Sequence, residues 1–350
     1  MAATLRRGRV TSVVERHAGL VRLTVDGAAC IAYPGLTGPV AVGDDVVVNV
    51  QARELRLGSG GFDVLVVNLT RGLELAPEPG AHVMTHPYTP LQAAVRHLEE
   101  RAAADSAARA PAAAADHPAP RAPAAALDGL PVVCCSLHAQ LAPVCAGLGE
   151  GLRSVYVQLG GGALPVALSD AVRALRAKSL LEVAVAVAPC IAGDLQAVSP
   201  AAALVWAAAQ GFDVVVCGIG PGVVGTGSPF GHGGLAVADA ANATAALGGR
   251  AVIAARVSGA DARERHRGLS HHTRSALTLC LGAAAVAWPA GLPHPESLPG
   301  RATLREVDAS GWQAACAGLP LAHMGRGPTE DPDFFAAAYA AGRLARELVG

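Results

Sequence analysis

The chain has 350 residues, 52% of them hydrophobic and 16% charged, with a formal net charge of −1. That much apolar material excludes extensive disorder, and a charge near zero excludes broad attraction to nucleic acid or to acidic membranes. Aromatic residues are only 3%, so Ala, Val and Leu must build the core.

The eight cysteines, Cys30, Cys134, Cys135, Cys145, Cys190, Cys217, Cys280 and Cys316, form no CxxC pair and mostly lie inside apolar runs. That is the pattern of buried, reduced thiols in a cytoplasmic protein. Arg6, Arg7 and Arg9 near the N-terminus are followed by no apolar signal core. No apolar stretch reaches the roughly 18 residues of a membrane helix without Gly, Pro or charge. The expectation is a cytoplasmic chain that does not enter a membrane.

Residues 8–70 read as short strands: Arg9–Val14, Leu20–Val25, Asp45–Val50 and Phe62–Asn68. Asp26-Gly27 between the second run and Ala28 is a hairpin turn signal, and Val42-Gly43-Asp44-Asp45 is another turn. Leu55–Gly61 reads as a flexible loop. Short strands at close spacing predict a small antiparallel β-barrel domain over residues 1–70. It lacks the basic, aromatic face of an oligonucleotide binder, so a structural or docking role is expected.

Residues 71–129 connect the halves. Tyr88-Thr89-Pro90-Leu91-Gln92 opens an expected helix, Leu91–Arg101. Ala102–Ala126 is almost wholly Ala, Pro, Asp, Arg and Ser, the composition of a disordered linker.

From Leu130 the period changes. Strands are expected at Pro131–Ser136, Ser154–Leu159, Leu181–Pro189, Phe212–Gly218, Ala251–Ser258 and Ala283–Trp288. Helices are expected at Ala139–Gly147, Leu164–Ala177, Ala201–Gln210, Leu235–Leu247, Ser270–Leu281 and Pro332–Leu348. Alternation of this kind predicts a doubly wound, mostly parallel sheet, so residues 130–350 read as a Rossmann-like α/β domain with a C-terminal helix.

A parallel sheet puts every strand-to-helix loop on one edge, where α/β proteins bind ligands. Those loops are Ser136-Leu137-His138, Gly160–Pro165, Ala192-Gly193-Asp194, the run after Gly218 and the run after Asp261, and each carries Gly, His, Asp or Ser. Helix caps alone account for Ser270 and Asp194. They do not account for four histidines and three arginines in the last two loops.

The Gly218 loop, with Gly220, Gly222, Gly225, Thr226, Gly227 and Ser228, is a candidate anion cradle of backbone N–H groups and hydroxyls. It is not a Walker A sequence. Its GxGxxG spacing lacks the helix that should open at once. The Asp261 loop adds Arg263, Arg265 and Arg267, whose forks suit carboxylate or phosphate, at the N-terminus of a helix capped by Ser270. His271 and His272 point about 100° apart on a helix. One of them with His266 and His232 offers either a metal set or an acid–base group, with Asp194 to orient it. His138, Gly161 and Gly162 are expected to line the same pocket.

These motifs resemble a bacterial family named domain of unknown function 3866. The resemblance rests on Gly218-Ile-Gly-Pro-Gly-Val-Val-Gly-Thr-Gly and Asp261-x-Arg-Glu-Arg-His-Arg-Gly-Leu-Ser-His-His-Thr273. It extends to Tyr88-Thr-Pro-Leu-Gln92, Gly161-Gly-Ala-Leu-Pro165, Gly193-Asp-Leu195 and Met324-Gly-Arg-Gly327. Where the family pattern reads Gly-Gly-Asp-Leu-Glu, this chain has Ala192-Gly-Asp-Leu-Gln196, which removes an acid–base carboxylate at Gln196. The family brings no known activity, so the resemblance implies a shared architecture and site only.

Two function classes follow. One is an enzyme, or former enzyme, that binds a small anionic, phosphorylated or nucleotide-like metabolite at the carboxyl edge. The other is a ligand sensor or scaffold with the barrel as its docking module. The partner in either case is a small anionic ligand. No cofactor and no metal is assigned, and a homo-oligomer is compatible with the sequence.

Overall fold

The computed structural model describes residues 3–55, 61–100 and 126–349. The loop expected at Leu55–Gly61 and the linker expected at Ala102–Ala126 lie, apart from their ends, outside the described residues. The chain divides into two compact units, Met1–Arg96 and His97–Gly350, so the division falls inside the segment expected to connect the domains.

In the first unit β1 (Leu5–His17), β2 (Leu20–Val25), β3 (Ala28–Ala32), β4 (Asp45–Asn49) and β5 (Asp63–Asn68) close a barrel in the order β1-β2-β3-β5-β4. The two-residue turn between β2 and β3 has positive φ at both Asp26 (48°) and Gly27 (82°), the twist that a tight hairpin needs. Alternation buries Val46 and Val48 of β4 with Val10, Leu23 and Leu65 in the barrel core. The barrel is not wholly antiparallel, because β3 and β5 run parallel.

The helix expected over Leu91–Arg101 is absent from its first half. Ala93–Val95 is instead strand β7, paired antiparallel with β6 (Val83–Thr85). Only residues 98–100 are helical among those described there. The helical propensity of Leu91–Ala94 is overridden by cross-strand pairing, a tertiary effect.

In the second unit eight parallel strands form one sheet in the order β11-β10-β9-β12-β8-β13-β16-β17. They are β8 (Pro131–Cys135), β9 (Ser154–Leu159), β10 (Val183–Val187), β11 (Leu195–Ala197), β12 (Val214–Ile219), β13 (Arg250–Ala254), β16 (Ala284–Pro289) and β17 (Ala302–Val307). A separate two-stranded ribbon joins β14 (Val257–Ser258) to β15 (Gly268–Leu269).

Side chains of β8 alternate between two cores. Val133 and Cys135 face the helices Leu141–Leu148, Asp170–Ala177 and Pro332–Leu348. Val132 and Cys134 face the helices Pro200–Ala209, Ala236–Ala246 and His271–Leu279. This is the double winding that near-continuous apolar strands imply. Ser169, Ser199 and Ser270 each accept a backbone N–H at a helix start, which explains where three of these helices begin.

Two strands of this sheet escape the sequence pattern. β11 has three residues and β17 carries Arg305 and Glu306, features of strands at a sheet edge. The strand expected over Ala251–Ser258 stops at Ala254. Beyond it, Arg256 donates its N–H to the Thr273 hydroxyl and accepts at its carbonyl from Ser270 N–H. All eight cysteines are buried and unpaired. No helix of the described residues is long and apolar enough to cross a membrane.

Candidate functional site

The site is built at the centre of the sheet, on its carboxyl edge. There β8 sends the chain toward β9 on one side, and its neighbour β13 sends it toward β16 on the other. Loops that diverge in this way leave a crevice between them. The loop after β12 delivers His232, and the segment after β13 delivers Arg256, Asp261, His266, His271 and His272.

Four imidazoles meet here. The His232 ring stacks on His272 with centroids 3.8 Å apart and 10° between planes, and His271 stands edge-on to both at 5.5 Å and 4.5 Å. His266 lies 4.7 Å from His271 and 4.9 Å from His272. Although His271 and His272 are adjacent in the helix, His232 reaches both.

Hydrogen bonding divides the four rings. His266 Nδ1 meets the Ser270 hydroxyl at 2.7 Å, and that oxygen also accepts the His272 N–H as the helix cap. His272 Nδ1 accepts from Arg256 Nη1 at 3.1 Å. A neutral His272 therefore carries its proton on Nε2, because an arginine can only donate. Among the described residues neither nitrogen of His232 meets a partner at full hydrogen-bond geometry, with only a weak interaction with the Pro229 backbone, and His271 Nε2 has none, although all are buried. His232, His271 and His272 each bring one nitrogen to within 4.8 Å of the others.

Burial and the neighbouring cations keep these rings neutral. Burial first, then His271 and Arg256, push His232 down to about 4, and burial with Arg256 and Arg263 pushes His266 to about 3. His272 falls to about 2 for the same reasons, with burial and Arg256 leading. His271 is lowered by burial and by Arg265. At neutral pH all four present lone pairs and N–H donors rather than charge.

Behind them is a buried ionic network. The Asp261 carboxylate, 1% exposed, meets Arg263 at 2.9 Å, Arg326 at 3.2 Å and Arg256 at 3.4 Å. Arg326 also bonds Asp331, which accepts from the Ser258 hydroxyl. Burial alone would raise Asp261. The side-chain and N–H bonds from Arg263, with its charge, overcome this and hold the carboxyl well below the usual range.

A cleft of about 640 Å³ opens beside the cluster, lined among others by Arg265, Arg267, His271, Arg274, His294 and Glu296. Arg267 Nε is bonded to the Asp261 carbonyl and Arg274 Nη1 to the Ser297 carbonyl. Arg265 has no hydrogen bond or ion pair among the described residues and is exposed.

Several expected residues are placed otherwise. Asp194 is not at this edge. The missed strand β11 begins immediately after it, level with the start of β10, and its carboxylate is taken by Arg176 and the Ala184 N–H. It cannot orient a histidine of the cluster. Arg263 is not an open fork, since Asp261 occupies it. Ser270 is spent as cap and His266 partner.

Three N–H groups of the Gly218 loop are committed within the protein. Val224 N–H bonds Gly161 O, Thr226 N–H bonds Gly231 O, and Ser228 N–H bonds the Thr226 hydroxyl. The Thr226 and Ser228 hydroxyls bond each other. Gly220 packs tightly against the loop after β9. A Cβ on Gly220 would lie 2.0 Å from Ala163 O, one on Gly162 2.1 Å from Gly220 O, and one on Gly161 2.3 Å from Gly233 O. Gly225 is bridged to His232, while Gly222 and Gly227 are exposed turns. The interlocked glycines fix the loop that carries His232.

His138 is also structural. Its Nδ1 bonds Ile219 O and its Nε2 the Ser169 hydroxyl, and burial pushes it down to about 4. Sequence reasoning missed Arg256, Arg326 and Asp331 as parts of the network. Arg256 carried a signal, as the one charge inside the apolar run Ala251–Val257.

A model of the family described as protein of unknown function (DUF3866) matches residues 29–342. No curated protein and no solved structure matches the chain.

Proposed function

The chain belongs to the family of proteins of unknown function DUF3866, and we propose from its own geometry that it is an enzyme acting on a small anionic metabolite. The observation that carries this is the double membership of His271. It lines the cleft with Arg265, Arg267 and Arg274, and it is also one of the four clustered imidazoles. An anion held by those arginines would lie beside the His271 ring, whose Nε2 is buried and has no partner among the described residues. His271 is the proton acceptor of this reading, and His272, held by Arg256 with its proton on Nε2, is a neutral donor. His266 supports them through Ser270. A cytoplasmic location belongs to the same proposal, supported by eight buried, unpaired thiols.

One observation favours the rival reading of a non-catalytic sensor. Among the described residues no carboxylate is hydrogen-bonded to a ring of the histidine cluster: Asp194 is committed to Arg176 and Asp261 to three arginines, while Glu264, Glu296 and Asp333 line the cleft with His271. Calorimetry with phosphate-bearing metabolites tests anion binding. Arg265→Ala should weaken it by about one to two powers of ten, since a charge-assisted contact contributes roughly 1.5–3 kcal/mol. A wild-type protein that binds no anion overturns the reading. His271→Asn separates the rivals: turnover is lost with binding retained if the protein is an enzyme, whereas a sensor has no turnover to lose.

A further inference from the structure

We infer that His232, His271 and His272 form a binding site for one divalent transition-metal ion of the zinc class. The inference rests on the enzyme reading and revises it at one point: with an ion bound, His271 and His272 are ligands rather than proton acceptor and donor, and the ion would supply the open position beside the anion cleft. It stands on three observations.

First, the ligand nitrogens lie within 4.8 Å of one another. Zinc–nitrogen distances of about 2.0–2.1 Å put tetrahedral ligand nitrogens about 3.4 Å apart. The widest pair must therefore close by up to about 1.4 Å, and His232 must also turn out of its stack on His272, because a bound ion lies in the plane of each imidazole that holds it.

Second, two residues of the group carry unsatisfied nitrogens. His232 is only 6% exposed, and among the described residues neither of its nitrogens meets a partner at full hydrogen-bond geometry, the Pro229 backbone interacting with the ring only weakly, nor does the buried Nε2 of His271. Buried polar atoms are normally partnered. A metal ion supplies the missing partner at both residues.

Third, the donor set is selective. Three imidazoles and no carboxylate suit zinc, nickel or copper and exclude magnesium and calcium, which require oxygen. Three protein ligands leave a fourth position open, as in catalytic zinc sites. Among the described residues no arginine is bonded to a ring nitrogen of His232 or His271. His272 is different. Its Nδ1 lone pair is held by Arg256, so its entry into the set either moves its Nε2 proton or releases Arg256. The guanidinium already lies 3.4 Å from Asp261 and can turn to it. His266 stays outside the set, tied to Ser270.

The test uses tag-free, chelator-treated full-length protein titrated with zinc alone, followed by calorimetry and by metal content after gel filtration. Cobalt(II) serves as a spectroscopic probe. One ion per chain is expected, with the visible absorption of a four-coordinate cobalt site. His232→Ala and His271→Ala should each weaken binding by about 100-fold or more, beyond the 10–100-fold cost of losing an outer-shell partner. His17→Ala, in the barrel, should bind like the wild type. His271 is only half-buried, so its variant should stay folded, and circular dichroism checks this. No zinc uptake by the wild type overturns the inference, as does unchanged affinity in both His232→Ala and His271→Ala. No anionic ligand enters this titration, so its failure leaves the anion-binding result independent.

Discussion

Asp261 sits almost fully buried among Arg256, Arg263 and Arg326, and its position behind the histidines decides what those histidines can do. It partly neutralises Arg256 and so lets that guanidinium remain buried next to His272. Removing one charge from such a group leaves the others uncompensated, so Asp261→Asn should destabilise the fold by about 3–5 kcal/mol in urea unfolding. The pH dependence has a definite sign. The folded carboxyl titrates well below its ordinary value, so its stabilisation is complete above the ordinary range near 4 and is lost as pH falls through and below it. The stability gap between wild type and Asp261→Asn should therefore be widest above about pH 5 and narrow in acid. A gap that grows on acidification would contradict the assigned state of Asp261.

Among the elements, the C-terminal helix Pro332–Leu348 does most to hold the second unit together. It crosses the helix Leu141–Leu148 at two glycines. A Cβ on Gly342 would lie 2.0 Å from Val144 O, and one on Gly147 would lie 2.3 Å from Tyr339 O. The axes approach this closely because neither position has a side chain. Gly342→Ala gains up to about 1 kcal/mol of helix propensity but forces the helices apart, and overpacking costs about 1–3 kcal/mol. A net loss of stability is expected in urea unfolding, with a larger loss for Gly342→Val. Wild-type stability in both variants would show that the helices can separate freely. The same logic explains the Gly218 loop, whose glycines look like a phosphate cradle in the sequence. At Gly220 the missing Cβ serves contact between backbones, and a lone sequence cannot distinguish the two uses of a missing Cβ.

For the whole molecule, two units with separate cores predict separable behaviour. The candidate site draws every residue from His97–Gly350, whereas Leu23 lies in the barrel core. Leu23→Ala should destabilise the barrel by about 2–5 kcal/mol while leaving zinc and anion affinity unchanged in calorimetry. A fall in affinity would reveal coupling between the units. Much of this architecture was legible in the sequence. Leu20–Val25, Ser154–Leu159 and Pro332–Leu348 have the boundaries read from periodicity and punctuation, and the turn at Asp26-Gly27 is where its residues put it. Local chemistry is enough for these, since alternation, turn residues and serine caps act within a few positions. β11 and β17 were illegible because an edge strand of three residues, or one carrying Arg305 and Glu306, has too little apolar pattern to register. The meeting of His232 with His271 and His272, the burial of Arg256 and the diversion of Asp194 to Arg176 were likewise decided only by the fold. Each depends on strand order and register, and those are settled by long-range packing of the two cores rather than by neighbours along the chain.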